Sequence, residues 1–264
     1  MSDWEPQIER AEKAFLYFEK VIGKYPYPTL SIVDGYITAG GIEYPNLVII
    51  NDNIYDPRDL SATIIHEMAH QWFYGLLANN QTRYGWMDEG FATYSEALYY
   101  ESLTGRKALQ STMLSKYSSN FSGTLAEPGK FLFTKTVYDK GAWVLHMLRW
   151  EVGDSSFFKI LREYYNTYKY SNASTKDFQN ICEKVSGKNL YKFFEQWIHG
   201  EGEIELEYQT LIDSSHQGYI SKVEIEQIQN EYEEYHFPLE LEIKFLGGSS
   251  KFERYYISSK DTVL

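Results

Sequence analysis

The sequence predicts an α+β chain: a mostly helical unit, residues 1–200, followed by a small β module, residues 201–264. Two observations carry this. Over most of residues 4–198 apolar side chains recur every three or four positions, as on the buried stripe of a helix. At Gly200-Glu201-Gly202 the period changes to alternation, as in a half-buried strand. A third observation is size: 264 residues, 43% hydrophobic and 17% aromatic, can bury one large core or two modest ones.

Charge narrows the partners. A net charge of −12 argues against nucleic acid or an anionic membrane surface, and simple solubility is the ordinary reading of such acidity. No apolar run approaches the roughly 18 residues a membrane span needs, and Met1–Pro6 has no basic-then-apolar signal pattern. Cys182 is the single cysteine, so no intrachain disulfide forms; a reducing, cytoplasmic location is expected.

Taken in order, residues 4–23 read as a helix with Ile8, Ala11, Phe15, Phe18 and Val21 on one stripe, stopped by Pro26 and Pro28. Leu30–Val33 and Leu47–Ile50 read as strands, with Gly40-Gly41 between them permitting close backbone approach. Asp59 or Ser61 is expected to cap a helix running to about Tyr74 and ended by Gly75. Further helices are expected from Glu89 to about Glu101, over 105–117, from about Gly141, over 154–168, over 174–186 behind a Ser174/Asp177 capping pair, and over 189–198. Residues 118–123 read as a loop, and strands are expected at 204–208, 223–225, 239–243 and 251–258.

The chemistry concentrates in Ile65-His66-Glu67-Met68-Ala69-His70. Histidines four apart share one helix face, roughly 6 Å between their Cβ atoms, so both imidazoles can reach one zinc ion at about 2.0–2.1 Å. Glu67 projects beside that ion and can take a proton from an activated water. Glu89, nineteen positions after His70 in Trp86-Met87-Asp88-Glu89-Gly90-Phe91, can close a His, His, Glu site with a fourth position open. Hydrogen-bonded core histidines are the ordinary alternative, which Glu67 and Glu89 at these spacings disfavour. Glu96, two turns past Glu89, and Thr93 are candidates to orient the histidines from behind. His146, His199, His216 and His236 lack ligand spacing and read as packing or surface residues.

These two segments, with the aromatic run Gln71-Trp72-Phe73, resemble the zinc aminopeptidases related to aminopeptidase N, the gluzincins of peptidase family M1. The resemblance extends from about residue 36 through the β module. It implies a thermolysin-like catalytic domain with a small edge sheet, followed by an immunoglobulin-like β-sandwich, possibly incomplete. Gly40-Gly41-Ile42-Glu43-Tyr44 stands where the family carries Gly-x-Met-Glu-Asn, with Ile42 for Met and Tyr44 for Asn. On its own Glu43 would be a solvated carboxylate; the resemblance implies that it pairs with the free α-ammonium of a peptide, with Gly40 and Gly41 lining the same site. Tyr138-Asp139-Lys140-Gly141 resembles the family's Tyr-Glu-Lys-Gly. Tyr138, structural by default in a chain with 24 tyrosines, is thereby implied to bond the developing oxyanion.

The expectation is a Zn2+-dependent aminopeptidase acting on peptides with a free N-terminus: His66, His70 and Glu89 on the metal, Glu67 the base, Tyr138 the oxyanion donor, Glu43 the amine clamp. An endopeptidase or other amide or ester hydrolase on the same site, or a silent peptide-binding module, are the alternatives. Family members carry a large β domain ahead of the catalytic one that helps wall the amine site. This chain is expected to be a natural minimal form or a piece of a longer protein.

Overall fold

The structure, a computed structural model, describes residues 4–117, 121–215, 218–230, 234–245 and 247–264. Helix α1, Glu5–Val21, buries Ala11, Ala14, Phe18 and Val21. The expected stripe is out of phase at one point: Ile8 is 68% exposed, and Gln7 takes the inward place because its amide donates to the Pro57 carbonyl at 3.1 Å. Strands β1 (Ser31–Gly35), β2 (Gly41–Tyr44) and β3 (Leu47–Asn51) form one sheet, β3 lying parallel to β1 and antiparallel to β2. In this sheet β2 pairs with β3, and no strand among the described residues pairs with its other edge.

Helix α2, Pro57–Ala69, crosses beneath the sheet. Its cap is Asp56, not Asp59 or Ser61: the Asp56 carboxylate accepts the Arg58 amide at 2.7 Å, and Pro57 occupies the first turn, where no amide is needed. The helix also ends earlier than its apolar pattern suggests. His70 is the C-cap, and the chain turns back so that the Gly75 amide meets the His70 carbonyl at 2.8 Å.

Strand β4 (Leu77–Ala78) and the short helix α3 (Gln81–Tyr84) lead to α4, Glu89–Thr104, nearly all of whose first ten residues are buried. Then come α5 (Arg106–Ser115), a π-helical turn over Thr136–Lys140, α6 (Gly141–Val152) and α7 (Asp154–Tyr168). Strand β5 (Ser171–Asn172) pairs with β4. Helix α8, Thr175–Ser186, has the expected box: the Ser174 hydroxyl accepts the Asp177 amide while Asp177 accepts the Ser174 amide. The expected helix over 189–198 splits into α9 (Tyr191–Phe194) and a π turn through His199. Of the expected loop 118–123, residues 118–120 lie outside the described residues, as does His216.

The core is aromatic. Trp72 meets Phe15, Phe18 and Tyr25 at ring-centre distances of 5.5–5.7 Å, and Phe91 meets Phe73, Trp86, Tyr164 and Phe178. Each such ring contributes roughly 1.5–3 kcal/mol by burial. Arg149 ties three helices together, forking onto Glu101 at 2.6 and 3.1 Å and onto Asp154 at 3.0 and 3.1 Å.

After residue 201 the first three strands are longer than alternation suggested, the first of them starting two residues later, and the fourth is as expected to within one residue. β6 (Leu206–Ser215) and β7 (Gly218–Gln227) form a hairpin, with β10 (Asp261–Val263) on the far side of β7; β8 (Phe237–Lys244) pairs with β9 (Ser250–Ile257). This module is joined to the helices by side chains: Trp197 stacks on Tyr235 at 4.6 Å, and Ile225, Tyr235, Phe237 and Ile257 belong to the main core.

Candidate active site

A cleft of about 500 Å³ is lined by Gly40, Gly41, Glu43, His66, Glu67, His70, Glu89 and Tyr138, together with Ala39, Ile42, Ala62, Thr63, Glu96 and Phe133. All eight residues to which the sequence and its family resemblance assign a metal, catalytic or substrate-binding role therefore face one space.

Three donor atoms converge in it. His66 Nε2 and His70 Nε2 are 3.2 Å apart, and Glu89 Oε2 lies 3.1 and 3.3 Å from them. The histidines are held from behind: His66 Nδ1 donates to Glu96 Oε1 at 2.8 Å and His70 Nδ1 donates to the Phe73 carbonyl at 3.0 Å. A carbonyl only accepts, so the His70 proton sits on Nδ1 and its Nε2 lone pair faces the carboxylate; the Glu96 bond orients His66 the same way. Three acceptors pointing at one another require a cation or protons between them. Donors about 2.0–2.1 Å from a tetrahedral ion lie about 3.3–3.4 Å from each other, so this set fits Zn2+ in both chemistry and spacing. Without an ion the histidines act as bases. Burial opposes their charge, yet the Glu89 carboxylate pushes His70 up to about 9, and Glu89 with Glu96 pushes His66 well up. Burial would raise Glu89, but the two imidazoles hold it far below the usual carboxylate range.

Local folding explains the convergence. Glu89 starts α4 immediately after Asp88, whose carboxylate accepts the Glu89 amide at 2.8 Å and the Gln81 side-chain amide at 2.7 Å. Burial pushes Asp88 up to about 6. Where α4 meets α6 the contact is backbone on backbone: a Cβ on Gly90 would lie 2.9 Å from the Gly141 main chain, and one on Gly141 3.0 Å from Gly90 Cα. That approach sets Tyr138, on the π turn, beside Glu89, and its hydroxyl donates to Glu89 Oε1 at 2.9 Å. The ring lies nearly parallel to that of His66, 6.1 Å away. Burial and the Glu89 charge push the phenol well above its usual range, which keeps it a hydrogen-bond donor.

Glu67 is buried between the histidines and strand β2. A Cβ on Gly41 would lie 2.3 Å from Glu67 Cγ and 2.5 Å from its Oε1, so only glycine admits this side chain against the strand. Burial pushes the Glu67 carboxyl up, and Glu43 and Glu89 add to this against the two histidines. Glu43, half-buried on β2, thus faces the same space as Glu67.

Two contributors escaped sequence reading. In the sequence Gln71 stands out only as the start of the run Gln71-Trp72-Phe73. Its buried amide accepts the Asn46 amide at 2.9 Å and donates to the Tyr44 carbonyl at 3.1 Å, fastening the β2–β3 turn to the helix end beside His70. Lys116 sits 3.3 Å from Glu96 Oε2. No local pattern announces either, since the partners lie 20 to 27 positions away. Glu96 takes the supporting role behind His66; Thr93 is buried but bonds neither histidine.

Comparison with known proteins identifies the family. The profile of the peptidase family M1 domain matches residues 7–197. "Probable aminopeptidase 2" of Sulfurisphaera tokodaii is 30% identical over 220 residues, covering 74% of this chain and 28% of that protein. "Aminopeptidase M1-D" of Oryza sativa is 31% identical over 211 residues, covering 71% and 24%. The chain thus spans about a quarter of the length of these curated relatives. Among solved structures, an aminopeptidase A of Legionella pneumophila, in complex with aspartic acid, superposes with a TM-score of 0.82 over 98% of this chain and 32% of that one, at 16% identity. An M1 zinc metallopeptidase mutant of Deinococcus radiodurans bound to a Tyr-Ser-Ala substrate gives 0.61 over 72% and 43%, at 24% identity. At such identities the likeness is one of fold. The family profile spans well over half of the chain and includes the whole donor set: this protein is a member of peptidase family M1.

Proposed function

We propose that this chain carries the catalytic centre of a zinc aminopeptidase, which hydrolyses the first peptide bond of peptides with a free N-terminus. The observation that carries the reading is a single cleft with Glu43 on an open strand edge and the His66, His70, Glu89 donor set, with Glu67 between them. His66, His70 and Glu89 would hold Zn2+, which when bound polarises the scissile carbonyl and acidifies a water molecule. Glu67 takes the proton of the attacking water and returns it to the leaving amine; its raised carboxyl suits both directions. Tyr138, kept protonated, turns its hydroxyl from Glu89 towards the developing oxyanion. Glu43 forms a charge-assisted hydrogen bond with the substrate α-ammonium, while the free edge of β2 offers backbone groups to an extended peptide.

Residues 1–200 form the catalytic domain in this reading and 201–264 an immunoglobulin-like module. A β domain outside this chain would complete the amine-side wall. No helix among the described residues is long and apolar enough to cross a membrane; we place the protein in the cytoplasm, in keeping with its buried free Cys182.

Glu43→Ala tests the assignment. For free-amine substrates kcat/KM should fall about 10- to 100-fold, the value of a charge-assisted bond of roughly 1.5–3 kcal/mol, while N-acetylated substrates stay at their basal rate. An equal fall for both would exclude the amine clamp.

A further inference from the structure

We infer that Lys116 is a positioning residue for the metal site, acting through Glu96 on His66. The inference rests on the zinc reading above. Glu96 is buried on α4, and its two carboxylate oxygens have different partners: Oε1 accepts from His66 Nδ1 at 2.8 Å, and Oε2 lies 3.3 Å from Lys116 Nζ. Lys116 is the C-cap of α5, a different element from those bearing the ligands, and 20% of its side chain is exposed. A carboxylate with only one oxygen engaged can swivel about its terminal torsion, which is broad and roughly two-fold. With both engaged, the plane of Glu96 is fixed, and so is the direction in which it holds the imidazole.

The lysine also offsets charge where it is costly. Glu43, Glu67, Glu89 and Glu96 all line this cleft, and Glu96 itself is buried. A buried carboxylate left with one neutral partner is expensive to keep ionised. Lys116 supplies a cation from outside the donor set, on the side away from the metal position. The asymmetry between the two histidines is informative: His70 is held by a main-chain carbonyl, which cannot rotate away, and needs no such brace. His66 is held by a side chain and has one.

The test is the rate at which a chromogenic chelator, 4-(2-pyridylazo)resorcinol, removes zinc from the loaded protein. Removing a direct partner of a metal-binding histidine costs about 10- to 100-fold in metal affinity, so Lys116→Met, one contact further out, should speed zinc loss about three- to tenfold. Lys116→Arg should restore the slow rate. In a Glu96→Gln background Lys116→Met should add nothing, because the brace has lost what it holds; a merely structural lysine would keep its effect there. A Lys116→Met rate equal to wild type, or an effect persisting in Glu96→Gln, would overturn the inference while leaving the zinc reading intact. A wild-type chain that takes up no stoichiometric zinc would overturn both.

Discussion

At the histidine end of the cleft both imidazoles are held from behind, by Glu96 and by the Phe73 carbonyl, and Glu89 accepts the Tyr138 hydroxyl. At the strand end the Glu43 carboxylate has no hydrogen bond among the described residues, and only the backbone beside it is fastened, through Gln71. The first end is built on helices, with Glu67, His70 and Glu96 buried; the second lies on a half-exposed edge strand. The difference matches two tasks. A metal-binding set must keep its geometry whether or not a substrate is present, whereas a group that meets a charged amine can remain solvated until the amine arrives.

Changes at the buried end should therefore act on turnover and metal, and changes at the strand end on substrate binding. The largest effect is expected for Glu67→Gln, which keeps shape but cannot accept a proton: kcat should fall by about 10³-fold or more with zinc content unchanged. Gly41→Ala should come next, because its Cβ displaces the Glu67 side chain rather than the backbone. Thermal stability should hold within a few degrees while kcat falls about 100-fold, the cost of moving a catalytic group by roughly 1 Å. A large loss of stability with normal turnover in the remaining folded fraction would show that Glu67 need not lie against the strand.

Metal affinity should depend on pH in a defined direction. In the metal-free protein His70 is pushed up to about 9, so below that pH a proton occupies the position zinc requires. Affinity should rise with pH, by about tenfold per unit for each proton displaced, up to at least pH 9, as read by competition with a chelator at fixed ionic strength. The smallest effect is expected for Gln71→Leu, which releases the β2–β3 turn from the helix end. KM for free-amine substrates should rise about three- to tenfold with little change in kcat. A fall in kcat alone would mean that Gln71 serves the donor set instead of the strand.

What the sequence disclosed follows the range of the interactions. His66 and His70 share one helix, so their partnership is written in a four-residue spacing, and Glu89 follows on the next long helix. Glu43 and Tyr138 come from a separate strand and a π turn, and nothing local distinguishes them from other carboxylates and phenols; family resemblance alone pointed to them. The Gly90–Gly141 contact and the Gln71 and Lys116 brackets are long-range, and each residue reads in isolation as ordinary. The fold shows the same division. Capping at Ser174 was legible because box and helix are contiguous. The α1 stripe departs from its apolar pattern at Ile8 because Gln7 finds a carbonyl fifty positions away. Strands β6 and β7 exceed their alternating stretches because residues 207–214 and 219–222 are exposed and lack a buried alternating face.

The most direct test of the central claim, that this one cleft joins a zinc site to a recognition point for a free amine, is a zinc titration of metal-stripped protein. Turnover of alanyl-aminocoumarin and of its N-acetylated counterpart would be followed together. The account predicts that hydrolysis of the free-amine substrate rises linearly to one zinc per chain and then stays level, with the acetylated substrate untouched. One zinc bound without turnover, or equal turnover of both substrates, would contradict it.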